Sequence, residues 1–337
     1  MKQDRGTILI TTLWILTLLT LLALGIGMRV GIDVKMISFF INSYKAHYIA
    51  EAGIRKTIIL LGKDSNKNAD SLNEIWSSGY DYDKEQFVLK DIKAGEGVFT
   101  VGYEIEKDEE GKPVYLYGAI DESGKININE MDGEMLANLP GFSTDIASAV
   151  LGWRDAADPT NLSGAEDDYY EGLEAPYECK DAKFSVPEEL LLVKDVTREI
   201  YEGVKGIITV YGEGKAVNIN TASKEVLAVL IGSQLEDLPA KIVNYRKGQD
   251  GIAGTQDDNI FVDINVIATQ LKGPAALNDN EFYRIGELKD KGYLKVLSSC
   301  FRIRSTGAVK NGRIKKAIEV IVKRADKGSE ILYYYEL

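Results

Sequence analysis

The sequence predicts an α+β protein in three parts: a long N-terminal helix, an antiparallel sheet, and a large, mainly helical segment inserted between the strands of that sheet. Three observations carry this. An apolar run with no ionisable side chain between Arg5 and Arg29 opens the chain. Strand-like alternation occupies residues 87–129 and returns in residues 300–337, and the stretch between the two repeats itself.

Thr7 to Met28 supplies the roughly 20 apolar residues that a membrane-spanning helix needs. Lys2 and Arg5 precede it, so the positive-inside tendency leaves the N-terminus in the cytoplasm and puts most of the chain beyond the membrane. Residues 29–61 continue the helix. Val30, Val34, Ile37, Ile41, Tyr44 and Tyr48 recur at alternating spacings of four and three, a stripe expected to pack along one seam. A rod from Thr7 to Leu61 would be roughly 80 Å long.

A secretory signal peptide has a shorter apolar core and a small-residue cleavage site after it; neither is present here. The six residues ending in Gly6, placed before the apolar run, resemble the leader of a type IV prepilin. In that family a prepilin peptidase cuts after the glycine and methylates the new N-terminus, which here is Thr7. Most members carry Glu as the fifth mature residue, where this chain has Thr11. One branch typically lacks that Glu, the K-type minor pseudopilins of type II secretion, and Ala50-Glu51-Ala52-Gly53-Ile54 is similar to a segment they carry. An ordinary uncleaved signal anchor stays open.

Composition narrows the functions. The chain has 337 residues, with 52 acids against 40 bases and a net charge of −12. Such a field repels nucleic acid and anionic lipid. The single histidine, His47, lies in the rod, which disfavours His-dependent catalysis and zinc. Cys179 and Cys300 fit one disulfide in an oxidising compartment, and two unpaired buried thiols fit as well.

Residues 62–82 read as a polar connection, and residues 62–129 as the first part of the sheet. Strands are expected over 87–92, 98–105 and 114–120, then over 301–309, 313–322 and 331–335. Lys310-Asn311-Gly312 predicts a two-residue type I′ turn. Within the inserted segment, 130–299, Lys125-Ile126-Asn127-Ile128-Asn129 is matched by Ala216-Val217-Asn218-Ile219-Asn220, Trp153-Arg154 by Tyr245-Arg246, and Gly164 to Asp168 by Gly254 to Asp258. The offsets are 91, 92 and 90 residues, a duplicated unit with copies at about 130–210 and 221–299. Thr221 is the expected N-cap of a helix over 222–231. Leu136 to Leu151, with Pro140-Gly141, resembles a helix-hairpin-helix. Many proteins use that motif to hold DNA phosphates, but residues 151–190 carry eleven acids against three bases, so it reads as a packing unit. Gly212-Glu213-Gly214-Lys215 lacks phosphate-loop spacing and reads as a turn.

The two acidic loops are the candidate site. One offers Asp155, Asp158, Glu166, Asp167 and Asp168; the other offers Asp250, Gln256, Asp257 and Asp258. Clustered carboxylates between glycines supply the six to eight oxygens and the wrapping loop that calcium takes, although neither loop has EF-hand spacing. A solvated acidic surface and glycosidase-like paired carboxylates are the alternatives.

Over nearly its full length the chain resembles the K component of type II secretion, the general secretion pathway protein K family. The resemblance implies a pilin-like α+β roll with an α-domain inserted in its sheet, and a non-catalytic role at the tip of a periplasmic pseudopilus in initiation and protein export. It also implies anchorage by a single helix in the inner membrane, the prepilin peptidase and the I and J minor pseudopilins as partners with exported substrates as further candidates, and structural calcium. Nucleic acid is not an expected partner on this reading. A pilus or DNA-uptake minor pilin whose helical repeats contact DNA remains an alternative, as does a membrane-anchored periplasmic enzyme.

Overall fold

The structure, a computed structural model, describes residues 4–64, 66–107, 110–155, 167–325 and 328–337. Helix α1 (Asp4–Lys63) is unbroken over 60 residues, about 90 Å at 1.5 Å per residue. Its two halves have different surroundings. From residue 7 to residue 37 every side chain is exposed. Among the described residues this is the one helix long and apolar enough to cross a membrane.

The second half lies on a sheet, but not through the predicted stripe. Tyr44 and Tyr48 are 66% and 65% exposed, and Val30, Val34, Ile37 and Ile41 are exposed with them. The buried face is made of Ala46, Ile49, Ala50, Gly53, Ile54 and Leu61. The reason is the closeness of the approach. A Cβ on Gly53 would sit 2.2 Å from Ser305 Oγ, and one on Gly307 would sit 2.1 Å from the Ala46 carbonyl oxygen. Only small residues fit at that crossing, so the tyrosines turn outward. This also explains Ala50 to Ile54: Ala50, Gly53 and Ile54 face in, while Glu51 points out and pairs with Arg55 at 2.6 Å.

The connection after the rod is more than a surface turn. It carries α2 (Ile75–Ser78) and buries Asp70, Ser71, Leu72 and Trp76. Short strands follow: β1 (Tyr80–Asp81), β2 (Gln86–Phe87), β3 (Ile92–Ala94), β4 (Gly97–Val101), β5 (Tyr103–Lys107), β6 (Pro113–Leu116) and β7 (Ile120–Asp121).

The chain then builds a helical body from two successive units. The first comprises β8 (Ile126–Asn127), α3 (Gly133–Leu136), α4 (Thr144–Arg154), α5 (Asp167–Glu171), α6 (Arg198–Val204) and β9 (Ile208–Thr209). The second comprises β10 (Val217–Asn218), α7 (Lys224–Ile231), α8 (Leu238–Arg246), α9 (Ile267–Lys272), α10 (Asp279–Asp290) and β11 (Leu294–Lys295). Each unit closes by pairing its first strand in parallel with its last, β8 with β9 and β10 with β11.

The same contacts recur. Asn129 donates its side-chain amide to the Phe184 carbonyl at 3.0 Å and accepts the Phe184 N–H at 2.7 Å. Asn220 does the same to Phe261, both at 2.9 Å. Arg154 Nη1 donates to the Ile128 carbonyl, and Arg246 Nη1 to that of Ile219. The N-caps are Ser143 for α4 and Ser223 for α7. Thr221 is therefore not the cap; its hydroxyl donates to Asp121 at 2.6 Å. Both units share one hydrophobic core, with Leu136, Val150 and Trp153 from the first and Leu227, Leu230 and Phe261 from the second.

Three long strands end the chain: β12 (Cys300–Val309), β13 (Ile314–Ala325) and β14 (Gly328–Glu336). With the earlier strands they form a six-stranded sheet in the order β14-β13-β12-β4-β3, and β7 also pairs β12. The β12–β13 connection departs from the two-residue turn. Val309 pairs Ile314, and Lys310, Asn311 and Gly312 all take positive φ. α1 covers one face of this sheet over a second core that includes Phe99, Val101, Phe301, Ile303 and Val320.

Candidate functional site

A buried polar cluster joins the rod-and-sheet head to the helical body. Asp121, at the end of β7, accepts hydrogen bonds through Oδ2 from Ser298 Oγ at 2.5 Å, Thr221 Oγ1 at 2.6 Å and Asn218 Nδ2 at 3.1 Å. Its Oδ1 accepts the Ser123 N–H at 2.8 Å. Burial pushes the Asp121 carboxyl up, against these bonds. Asn218 Nδ2 also donates to the Asp70 carbonyl and to Ser298 Oγ.

Next to it, Glu122 is fully buried between Lys125 at 2.7 Å and Arg302 at 2.8 Å. Burial opposes its ionisation, but the two cations win and hold the carboxyl at about 2. On the other flank Arg324 bridges Asp64 at 3.2 Å and Asp70 at 2.9 Å. Asp64, Asp70 and Glu74 bring carboxylate oxygens within 4.8 Å of one another, and the Arg324 guanidinium is the counter-charge already present. Burial, then Asp64, pushes Glu74 up to about 7, against bonds from Trp76, Asn66 and Ser71.

These residues escaped the sequence reading. Their long-range partners lie 80–260 positions away in the chain. The one local signal is the placement of Asp121 and Glu122 just before Lys125 to Asn129.

Of the two predicted acidic loops, the second lies wholly within the described residues. In the first, Asp158 and Glu166 lie outside the described residues. Asp155 caps α4 and accepts from Arg154 Nε at 3.2 Å. Asp167 and Asp168 open α5, and Asp167 Oδ1 accepts the Cys179 N–H at 2.8 Å.

The second loop is ordered around its own carboxylates. Asp257 Oδ2 accepts the N–H groups of Gln249 at 2.7 Å and Asp250 at 3.1 Å, and its Oδ1 accepts the Thr255 hydroxyl at 2.7 Å. These bonds, with Thr255 foremost, hold Asp257 at about 2. Asp258 Oδ2 accepts the Gly254 N–H at 2.7 Å; burial raises this carboxyl to about 6, against that bond. Asp250 accepts the Ile252 N–H at 2.7 Å, and Gln256 is exposed.

The second loop also rests on the head. Tyr82 donates to the Gly254 carbonyl at 3.3 Å, and Lys247 pairs with Glu106 at 2.7 Å. The fit to calcium is one of donor chemistry. All ligands on offer are oxygens, and a carboxylate that accepts amide bonds keeps further lone pairs.

Gly6 and Thr7 lie in the first turns of α1. The two sulfurs are not bonded to each other: Cys179 is buried in the body and donates to the Gly152 carbonyl at 3.6 Å, while Cys300 is buried at the start of β12. Cys179 belongs to the core of the body, and Cys300 is the first residue of β12.

With this geometry in view, the likenesses to known proteins can be placed. Residues 133–213, most of the first unit, match the family model for Type II secretion system (T2SS), protein K. The Type II secretion system protein K of Pseudomonas aeruginosa is 25% identical over 268 residues, covering 76% of this chain and 76% of that protein. A chain in the crystal structure of the GspK-GspI-GspJ complex from the enterotoxigenic Escherichia coli type 2 secretion system shares the fold. The TM-score is 0.62 at 15% identity, over 87% of this chain and 96% of that one. The family model over the first unit, the relative matched over three quarters of its length and the shared fold agree with the exposed apolar rod and the large body between β7 and β12: the chain is similar to the type II secretion system protein K family.

Proposed function

We propose that the chain is a minor pseudopilin of type II secretion, non-catalytic, that takes part in pseudopilus initiation and in export across the outer membrane. The observation that carries this is the division of α1. One half exposes an apolar surface that only a membrane or other helices can cover, and the other is fixed to the sheet by its Ala-Gly face. The head and body then stand on the periplasmic side of the inner membrane, with I- and J-type minor pseudopilins as partners.

Two features support the tip position. Thr11 turns its hydroxyl back onto the Thr7 and Ile8 carbonyls, at 3.0 and 2.9 Å, so this position needs no partner from a subunit above. The body adds bulk where a further subunit would stack. Site-specific cross-linking from Tyr44 in assembled pseudopili should capture a minor pseudopilin; cross-links to the major subunit along the whole shaft would sink the tip assignment. Processing is proposed after Gly6. Mass spectrometry of the protein from its host should find Thr7 as a methylated N-terminus, and an intact Met1 would refute this.

Structural calcium is proposed at Asp250, Gln256, Asp257 and Asp258, where the oxygens fit. At a hundredfold excess over Kd a bound ion stabilises by about 2.7 kcal/mol. Millimolar calcium should therefore raise the Tm of the detergent-solubilised full chain, with Asp257→Asn removing the effect. Equal melting with calcium and with chelator would reduce the loop to its role on the head.

A further inference from the structure

Among the described residues the sheet has one long uncovered edge. β14 forms one end of the strand order and pairs on its inner side with β13. Its outer side presents nine residues, Gly328–Glu336, with no proline or lysine among them. Natural edge strands are blunted by such residues, by brevity or by a cover. Here Ile331, Leu332, Tyr334 and Tyr335 are 40–52% exposed.

The edge runs along a groove of about 820 Å³ between sheet and body. Tyr333 and Tyr335, opposite Ile321 and Glu319 in register, line it from the strand. Their rings stack at 6.4 Å, and Tyr211 of the body stands 6.3 Å from Tyr333. Val186 and Pro187 form the far wall. An unpaired strand with an aromatic groove beside it is the arrangement that strand addition uses. Main-chain bonds supply affinity, and alternate side chains enter pockets.

Charge selects the occupant. The cations lining the groove are engaged: Arg302 with Glu122 and Glu319, Lys125 with Glu122, and Lys205 with Glu202. Glu104 and Glu188 line it without an ion pair among the described residues, and Glu330 and Glu336 flank the tyrosines. A second copy of this chain fits badly. A two-fold strand pair centred on Tyr333 would set each Glu330 opposite the other copy's Glu336. Like charges facing across strands destabilise, and each chain carries −12.

We propose that β14 receives, as an added strand, an extended segment of a different polypeptide. That segment is apolar at alternate positions and carries a lysine or arginine. Its alternate side chains enter the Tyr211, Tyr333 and Tyr335 groove, and its cation meets Glu188 or Glu330.

The test uses the detergent-solubilised full chain and a nine-residue peptide alternating valine and threonine, with a lysine at each end. Hydrogen–deuterium exchange across residues 329–336 is expected to slow roughly tenfold at a tenfold excess over Kd. N-methylation of alternate peptide amides should abolish the slowing, and glutamate ends should weaken it. Tyr333→Ser and Tyr335→Lys should each weaken binding at least fivefold at an unchanged unfolding midpoint, the second on a side chain half exposed and therefore safe for folding. Protection that survives N-methylation, or that maps away from β14, overturns the proposal. So does a dimeric chain whose β14 is already protected without peptide, because a second copy would then be the occupant.

Discussion

In the first unit of the body Asn127 donates its side-chain amide to the Tyr211 and Gly212 carbonyls, at 3.4 and 3.3 Å. In the second unit the equivalent Asn218 reaches out of the body to Asp70, Asp121 and Ser298, at 2.8–3.1 Å. The rest of the local frame is shared. Each Asn accepts the N–H of the Asn two residues on, at 3.0 Å, and that second Asn clamps a phenylalanine backbone. The loop after α8 rests on the head through Gly254 and Lys247, whereas most of its counterpart after α4 lies outside the described residues. One scaffold therefore serves two ends: the repeated contacts build the body, and the contacts peculiar to the second copy attach it. Two tryptophans read the two regions separately, Trp76 in the head core and Trp153 in the body core.

The largest effect that can break this comparison is the loss of Asn218. Asn218→Ala leaves Asp121 and the Asp70 carbonyl short of a donor in a buried site, and is expected to cost about 3 kcal/mol against about 1 kcal/mol for Asn127→Ala. Denaturant titration followed at Trp76 and at Trp153 measures both; equal losses would mean that the joint contributes nothing of its own. The shared clamps come next. Asn129→Ala removes three bonds to buried backbone and Asn220→Ala two, and each should cost about 2 kcal/mol. A gap above 1 kcal/mol between them would show that the units are less alike than their contacts.

Acidity sharpens the same contrast in opposite directions on the two flanks of the joint. Glu122, held at about 2, contributes stability that is present above its unfolded value of 4.5 and is lost as pH falls toward 2. Glu74, raised to about 7, behaves in reverse: its contribution is present below 4.5 and is lost as pH rises to about 7. Glu74→Gln should flatten the stability profile between pH 4.5 and 7 and leave the acid limb intact, while Glu122→Gln should remove the acid limb. A profile unchanged by either substitution would place both carboxyls in ordinary solvent. The smallest expected effect is that of Lys247→Ala. The pair with Glu106 is partly exposed, so about 0.5–1 kcal/mol should be lost, and the loss should shrink in high salt.

The sequence made the plan legible and left the contacts hidden. The rod announced itself through its apolar run. The split sheet showed in alternation at both ends, and the two units showed in three matched segments. The burying face of α1 was misread because hydrophobic size was the signal, whereas the crossing at Gly53 and Gly307 selects for smallness. Thr221 looked like a cap because threonine before a helix usually is one, but the demand of Asp121 for a donor took precedence. Asn311-Gly312 was a true turn signal with the wrong loop length, since the left-handed residues began at Lys310. The joint could not be read at all. Its members are ordinary polar residues whose meaning depends on neighbours brought together only by the fold.

The chain leaves the sheet at Asp121 and re-enters it at Cys300, and the next residue, Phe301, stands opposite Asp121 in the ladder. The crossing is tied again where the Ser299 N–H donates to Ser123 Oγ at 3.2 Å. A floppy excursion of that length would charge the sheet roughly 5 kcal/mol in closure entropy. The folded body removes that penalty, because its own parallel strand pairs hold entrance and exit side by side. It acts as a topological staple: when it melts, the two halves of the sheet become distant parts of a random chain. Damage deep in the body, such as Asn220→Ala, should then lower the midpoint reported by Trp76 as well, across a boundary that no altered residue touches.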